Sequence, residues 1–254
     1  MSGKSGIKIK LSHSHINTFD TCRRKYYYNY KKRLPQLPWP HLLKGNFTHD
    51  VLEQWVKNGI MKENCPRTAM KKAYRGVRDS GTYNGKSSDT FAETKEWLRG
   101  AIRDFEKVPF VPLEAEAFIS FRYRGIEVRG KVDRIDQVDP RTVEIIDYKT
   151  SKSEKWLSSS QLGIYRIAAQ FGSLSPKYGQ CDVKASFVLL RYEMKKVSYN
   201  LDEEGGPDVV LNNIEKAADA ILTETRWDPE PSHLCKTCDF FIQCQEDTGN
   251  GGSW

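Results

Sequence analysis

The chain has 254 residues, of which 38% are apolar, 11% aromatic and 29% charged, with a formal net charge of +7. So much aromatic content argues against a disordered chain, and the length suffices for one large buried core or two small ones. No apolar run approaches the roughly 18 residues of a membrane span, and Met1–Lys10 shows no apolar signal-like region.

The first third is expected to be helical. Ser12 or Ser14 can cap a helix through the Phe19–Tyr30 region, after which Pro35, Pro38 and Pro40 break the chain. Phe47 to Lys57 forms a second helix with Phe47, Val51, Leu52 and Trp55 on one face and Gly59 as its stop. Two more are expected over Thr68–Arg78 and Thr90–Phe105, separated by a Gly- and Ser-rich loop over Ser80–Ser88. The period then changes. Ala117–Tyr123, Ile126–Ile135 and Thr142–Tyr148 read as strands joined by turns at Arg124-Gly125 and Asp139-Pro140-Arg141. A helix from about Ser160 to Phe171 ends at Gly172. Strands over Val183–Tyr192 and Lys195–Leu201, a helix over Val209–Thr223 and a frayed tail at Gly249–Trp254 complete the chain. Helices, a meander, a crossover helix and a further strand make a mixed α/β domain spanning residues 1–254, with helices on a central sheet.

The middle hairpin carries the chemistry. Folding about Pro140 places Asp133 opposite Asp147 and Ile135 opposite Ile145. Directly opposed Cβ atoms lie about 4.5–5.5 Å apart. Two carboxylates that close repel in a dry site and call for a cation between them. Strand alternation puts Lys149 on the face of Asp147. Val143, Ile145, Ile146 and Ile135 mark the hairpin as buried, where unpaired charges are costly.

Asp133 followed by Asp147-Tyr148-Lys149 resembles the signature of the PD-(D/E)xK nuclease superfamily. Gln161-Leu162-Gly163-Ile164-Tyr165 is similar to the glutamine–tyrosine motif of its RecB-like branch, and Gly45-Asn46-Phe47-Thr48-His49 to that branch's Gly-x-x-x-His motif. The motifs occur in the family's order over nearly the whole chain. The resemblance implies a restriction-endonuclease-like mixed sheet flanked by helices. It implies magnesium or manganese held by His49, Asp133, Asp147 and the main-chain carbonyl of Tyr148, with Lys149 acting on the attacking water. Gln161 and Tyr165 would brace the site or touch the phosphate backbone. Glu116 is an additional acidic candidate, although a Glu leading into a strand is commonly just solvated.

Cys235, Cys238 and Cys244 form a C-x2-C-x5-C group, and Cys22 is the natural fourth partner. Spacing alone admits tetrahedral zinc or an iron–sulfur cluster, both of which take four thiolates. One cysteine before the catalytic motifs and three after them resembles the iron–sulfur staple of the AddB nuclease domain and of CRISPR-associated exonucleases. That resemblance favours [4Fe–4S], with segments 12–33 and 227–246 forming the staple and the C-terminal group closing onto the N-terminal helix. Arg23 follows Cys22 where many relatives carry proline. Cys65 and Cys181 read as ordinary buried thiols. The expected compartment is reducing and intracellular, the cytoplasm of a prokaryote or its phage-infected host.

Arg23 to Arg33 packs six basic residues and four tyrosines into eleven positions. Arg23, Arg24, Lys31, Lys32 and Arg33 are candidate phosphate contacts, the tyrosines candidate stacking platforms, and a helix with inward tyrosines and solvated charges is the alternative. The resemblance implies a DNA nuclease, foremost an exonuclease acting on single-stranded or end-containing DNA in replication, recombination or repair. A flap endonuclease, a noncatalytic DNA-end-binding subunit of a recombination complex and a zinc-stapled nucleic-acid adaptor are the alternatives. The chain shows no helicase domain, so a helicase or recombination partner would be a separate protein.

Overall fold

A computed structural model describes residues 8–36, 39–57, 65–83, 91–151, 153–203 and 206–249. The chain folds as two compact units, one formed by residues 1–38, 122–129 and 208–254, the other by 39–121 and 130–207.

In the first unit, strand β1 (Ile9–Leu11) pairs parallel with the start of β3 (Ile126–Asp139), Ile9 opposite Ile126 and Leu11 opposite Val128. Helix α1 (His13–Thr21) begins at Ser12, whose hydroxyl accepts the His15 backbone N–H, a standard N-cap. The expected single helix is interrupted at Cys22, whose extended backbone separates α1 from α2 (Arg23–Tyr26), which continues as a π-helical stretch through Lys32. Tyr26 and Tyr28 are buried in this unit, whereas Tyr27 and Tyr30 are half-buried. Helix α8 (Pro207–Thr223) buries Val210, Ile214, Ala217, Ala218 and Ile221, spaced for one helical face. Helix α9 (Phe241–Thr248) ends the described chain at Gly249, where φ of 68° suits glycine. The expected frayed tail lies, apart from Gly249, outside the described residues.

The second unit is a mixed sheet with helices packed on it. Helix α3 (Pro40–Trp55) starts earlier than Phe47, because Pro40 occupies the first turn, where its missing N–H is harmless. Helix α4 (Pro66–Asp79) and helix α5 (Ala92–Lys107) follow. The expected stop at Gly59 and most of the Ser80–Ser88 loop lie outside the described residues. Phe47, Val51, Leu52 and Trp55 of α3 meet Met70 and Val77 of α4 and Trp97 and Leu98 of α5 in one core. That core also takes in Ile146, Tyr148 and Val188 from the sheet.

Strand β2 (Val111–Tyr123) pairs with β3 (Ile126–Asp139), and β3 pairs antiparallel with β4 (Thr142–Lys149). Arg134 faces Ile146 and Ile135 faces Ile145, the register expected from a turn at Pro140. Helix α6 (Ser159–Phe171) and a short helix α7 (Ser175–Tyr178) lead to β5 (Asp182–Leu189), which runs parallel to β4 over its whole length. Gly172 after α6 is obligatory, since a Cβ there would lie 2.4 Å from the Ser120 carbonyl oxygen. β5 ends earlier than Tyr192, because Glu193 and Met194 turn the chain with φ of 47° and 64°. The last strand, β6 (Lys195–Ser198), pairs antiparallel with β5.

Candidate active site

Four elements of the second unit bring the candidate residues together. His49 projects from α3, Glu116 from β2, Asp133 from β3, and Asp147 and Lys149 from the end of β4. The Gly45-x-x-x-His49 spacing has a packing cause. A Cβ at Gly45 would lie 3.3 Å from the Thr150 hydroxyl, so glycine lets α3 approach the end of β4.

One ligand atom each from His49, Glu116 and Asp133 lies within 4.8 Å of the other two. His49 Nδ1 is 3.2 Å from Asp133 Oδ1, and Asp133 Oδ2 accepts the Tyr148 backbone N–H at 2.6 Å. Burial alone would lower the His49 pKa, but the Asp133 carboxylate reverses this and raises it to about 9. Burial works against ionisation of Asp133 as well, yet His49 and the Tyr148 N–H hold its pKa below the usual range. Burial pushes Glu116 up, Asp133 adds to the push, and the contacting Lys131 ammonium opposes both. Two acids and an imidazole held this close are a donor set that suits a hard divalent cation.

Glu116 is not the ordinary solvated strand residue the sequence suggests. Its side chain is 12% exposed and its φ is 54°, a left-handed conformation within a strand. Such a conformation in a non-glycine residue stores strain and clusters at functional sites. The sequence offered no signal for it beyond acidity.

Asp147 stands outside that close group of three. Its Oδ1 accepts from Tyr165 at 2.7 Å and from Gln161 Nε2 at 3.0 Å, and Lys149 Nζ lies 2.7 Å from its Oδ2. Lys149 also donates to Gln161 Oε1 at 2.9 Å, and Gln161 donates to the Tyr165 oxygen at 2.7 Å. Gln161 and Tyr165 share one face of α6, so the helix fixes both ends of this network. Burial raises the Asp147 pKa and Asp133 adds to it, while Lys149 counters them. Beneath the strands lies a buried cluster missed by sequence reasoning. Arg134 pairs with Asp136 at 2.8 Å, contacts the Tyr148 hydroxyl and sits 3.5 Å over the Phe110 ring, bracing β3 against β4.

A family model for the PD-(D/E)XK nuclease superfamily matches residues 10–245. The chain belongs to the PD-(D/E)XK nuclease superfamily. Its fold is similar to the crystal structure of a "Putative exonuclease" from Eubacterium rectale, with a TM-score of 0.55 at 13% identity over 90% of this chain and 86% of that one. The crystal structure of SSO0001 aligns at a TM-score of 0.42 and 14% identity over 97% and 88% of the two chains. No curated protein matches. Membership makes the protein a nuclease, a hydrolase of nucleic acid, and superfamily members typically use divalent metals. No helix among the described residues is long and apolar enough to cross a membrane.

In the first unit, Cys22, Cys235, Cys238 and Cys244 line one cavity of about 30 Å³. The Glu230 N–H points to Cys22 Sγ at 3.5 Å and the Ser232 N–H to Cys235 Sγ at 3.4 Å. Among the described residues, no three cysteine sulfurs fall within 4.8 Å of one another. Burial raises the Cys238 and Cys244 thiol pKa values, and neighbouring cysteines contribute. The other two cysteines are less buried than expected: Cys65 is exposed just before α4, and Cys181 is half-buried.

The basic aromatic segment is largely engaged within its own unit. Arg23 pairs with Glu224 at 3.0 Å and contacts Glu230. Arg24 lies over Tyr28, Lys31 over Trp227 and Lys32 over Tyr27. Tyr26 stacks on Trp227 at 5.8 Å, so the tyrosines mostly build the core. Lys31, Lys32 and Arg33 keep exposed surface.

Proposed function

We propose that the protein is a metal-dependent deoxyribonuclease acting from DNA ends, its two compact units serving as one nuclease domain. The observation that carries this reading is the convergence of His49, Glu116 and Asp133 beside the Asp147–Lys149–Gln161–Tyr165 network. His49, Glu116 and Asp133 hold magnesium or manganese, with Asp147 and the Tyr148 main chain completing the site. The ion supplies positive charge against the negative charge that develops on the phosphate in the transition state. Lys149 positions the attacking water, and Asp147 and Gln161 aim its ammonium. Tyr165, whose pKa is raised well above the usual tyrosine value by burial and Asp147, remains a donor and fixes the Asp147 carboxyl. The name of the Eubacterium rectale neighbour favours exonuclease action over internal cutting. Digestion of end-labelled single- and double-stranded DNA with magnesium, manganese or EDTA tests the reading. End-directed shortening that EDTA stops is expected, and no cleavage with either metal overturns it.

The same reading assigns the four cysteines a [4Fe–4S] cluster that staples the chain ends. Support comes from four thiols around one cavity with backbone N–H groups aimed at two sulfurs.

Metal affinity should depend on pH through His49. The imidazolium pKa of about 9 means that a proton must leave before the nitrogen can ligate. Calorimetric manganese affinity of the DNA-free protein should therefore rise by up to about tenfold per pH unit below 9 and then level. A flat profile from pH 6.5 to 9 would remove His49 from the ligand set.

A further inference from the structure

Helices α4 and α5 frame a groove of about 530 Å³ that is separate from the cluster just described. Arg67, Lys71, Arg75 and Arg78 line it from α4. From α5 come Lys95, Arg99 and Arg103. Positions four apart share a helix face, so each helix presents a row of like charges along one side. The α4 row extends over twelve residues, or about 17 Å of helix. The helices run antiparallel, since Arg67 near the start of α4 pairs with Glu106 near the end of α5, while Lys95 near the start of α5 lies over Tyr74. Between the rows the lining is apolar, with Met70, Tyr74, Leu98 and Ile102.

An ordinary solvated helix face alternates acids and bases at this spacing, because like charges four apart destabilise a helix. Here Arg67 is matched by Glu106, Arg78 by Asp79, and Arg99 and Arg103 share Glu96. Lys71, Arg75 and Lys95 form no ion pair among the described residues. These three cations, on rims of one sign, are therefore available to a polyanion lying along the groove.

We propose that the α4–α5 groove binds a single strand of the nucleic-acid substrate away from the catalytic cluster, phosphates on the basic rims and bases against the apolar floor. This rests on the nuclease reading and adds a strand path to it. A concave channel with an aromatic on its floor fits unpaired bases, whose faces stack on such surfaces. A duplex keeps its bases stacked inside and presents no face to that floor. The groove holds the strand and performs no chemistry.

The test is the salt dependence of oligonucleotide affinity in EDTA, read by fluorescence anisotropy with a labelled single strand and with a duplex of equal length. Lys71, Arg75 and Lys95 are changed together to Ala, and exposed Lys107, Lys184 and Lys216 are changed together to Ala as a control for the reduced charge. Circular dichroism melting confirms that both triple variants fold; if the groove triple does not, the single variants are used. Removing one cation that neutralises a phosphate lowers the slope of log affinity against log salt by roughly 0.7 for single strands, so the slope of the groove triple should fall by about 2 and that of the control by much less. Equal slopes in the two triples overturn the proposal, as does wild-type protein that binds no single strand. A weakening seen only with duplex overturns the single-strand assignment. Because EDTA prevents metal-dependent turnover, failure of the nuclease reading shows separately, as wild-type protein that binds DNA but leaves it intact with magnesium or manganese.

Discussion

Lys149→Ala should lower the rate of DNA cleavage by about 10²–10⁴-fold, the range expected when a positioned group acting on the attacking water is removed. The structure explains why the loss should fall on chemistry and spare the fold. Lys149 stands at the end of β4 with its side chain 26% exposed, and its contacts are Asp147, Gln161 and the Phe187 ring. Without the ammonium, Asp147 keeps its hydrogen bonds from Tyr165 and Gln161 and can take up a proton, so the buried carboxyl stays satisfied. The melting temperature and oligonucleotide affinity should stay near wild type, as circular dichroism and anisotropy would show. Asp133→Ala should be equally inactive, but for another reason. It removes the carboxylate that holds His49 charged and that meets Glu116, so calorimetric manganese binding should weaken with it. A fully active Lys149→Ala protein would end the assignment. Normal metal affinity in Asp133→Ala would move the cation elsewhere.

Cys22→Ser should bleach an anaerobically purified, brown protein and lower its stability by several kcal/mol. A cross-link from Cys22 to Cys235, Cys238 and Cys244 closes a loop of more than 200 residues, and closing long loops restricts the unfolded chain most. Iron analysis should give about four atoms per chain, the content of a four-thiolate cubane. Cys235→Ser, Cys238→Ser and Cys244→Ser should behave alike. Cys65→Ser and Cys181→Ser should change neither colour nor melting, because neither thiol lines the cavity. A colourless wild-type protein with one zinc would replace the cluster by the simpler ion.

The sequence was most legible where a short-range rule governs. The β3–β4 register follows from one turn at Pro140, and Ile135 does face Ile145. Gln161 and Tyr165 meet Asp147 because four residues make about one helical turn. Legibility failed where long-range packing decides. Glu116 owes its place to a left-handed backbone within β2, which no propensity announces. Nothing in the sequence singles out Arg134, yet it is buried against Phe110 and Tyr148. The helix break at Cys22 was equally invisible, because no proline or glycine stands near it and only the extended backbone at that residue separates α1 from α2.

The left-handed Glu116 also sets activity and robustness against each other. A non-glycine residue in that conformation costs on the order of 1–3 kcal/mol, and the metal-free protein carries the cost at all times. Glu116→Gly lifts it, because glycine adopts positive φ freely, and it also removes a half-buried carboxyl that Asp133 disfavours. The metal-free variant should melt at or above wild type, because relief of the strain and of the Asp133 repulsion together offset glycine's extra unfolded-state entropy and the lost Lys131 contact. Its manganese affinity and cleavage should fall together. Screening this chain for thermal resistance without metal would then select toward an inert scaffold, whereas screening it loaded with manganese would keep the carboxylate in place.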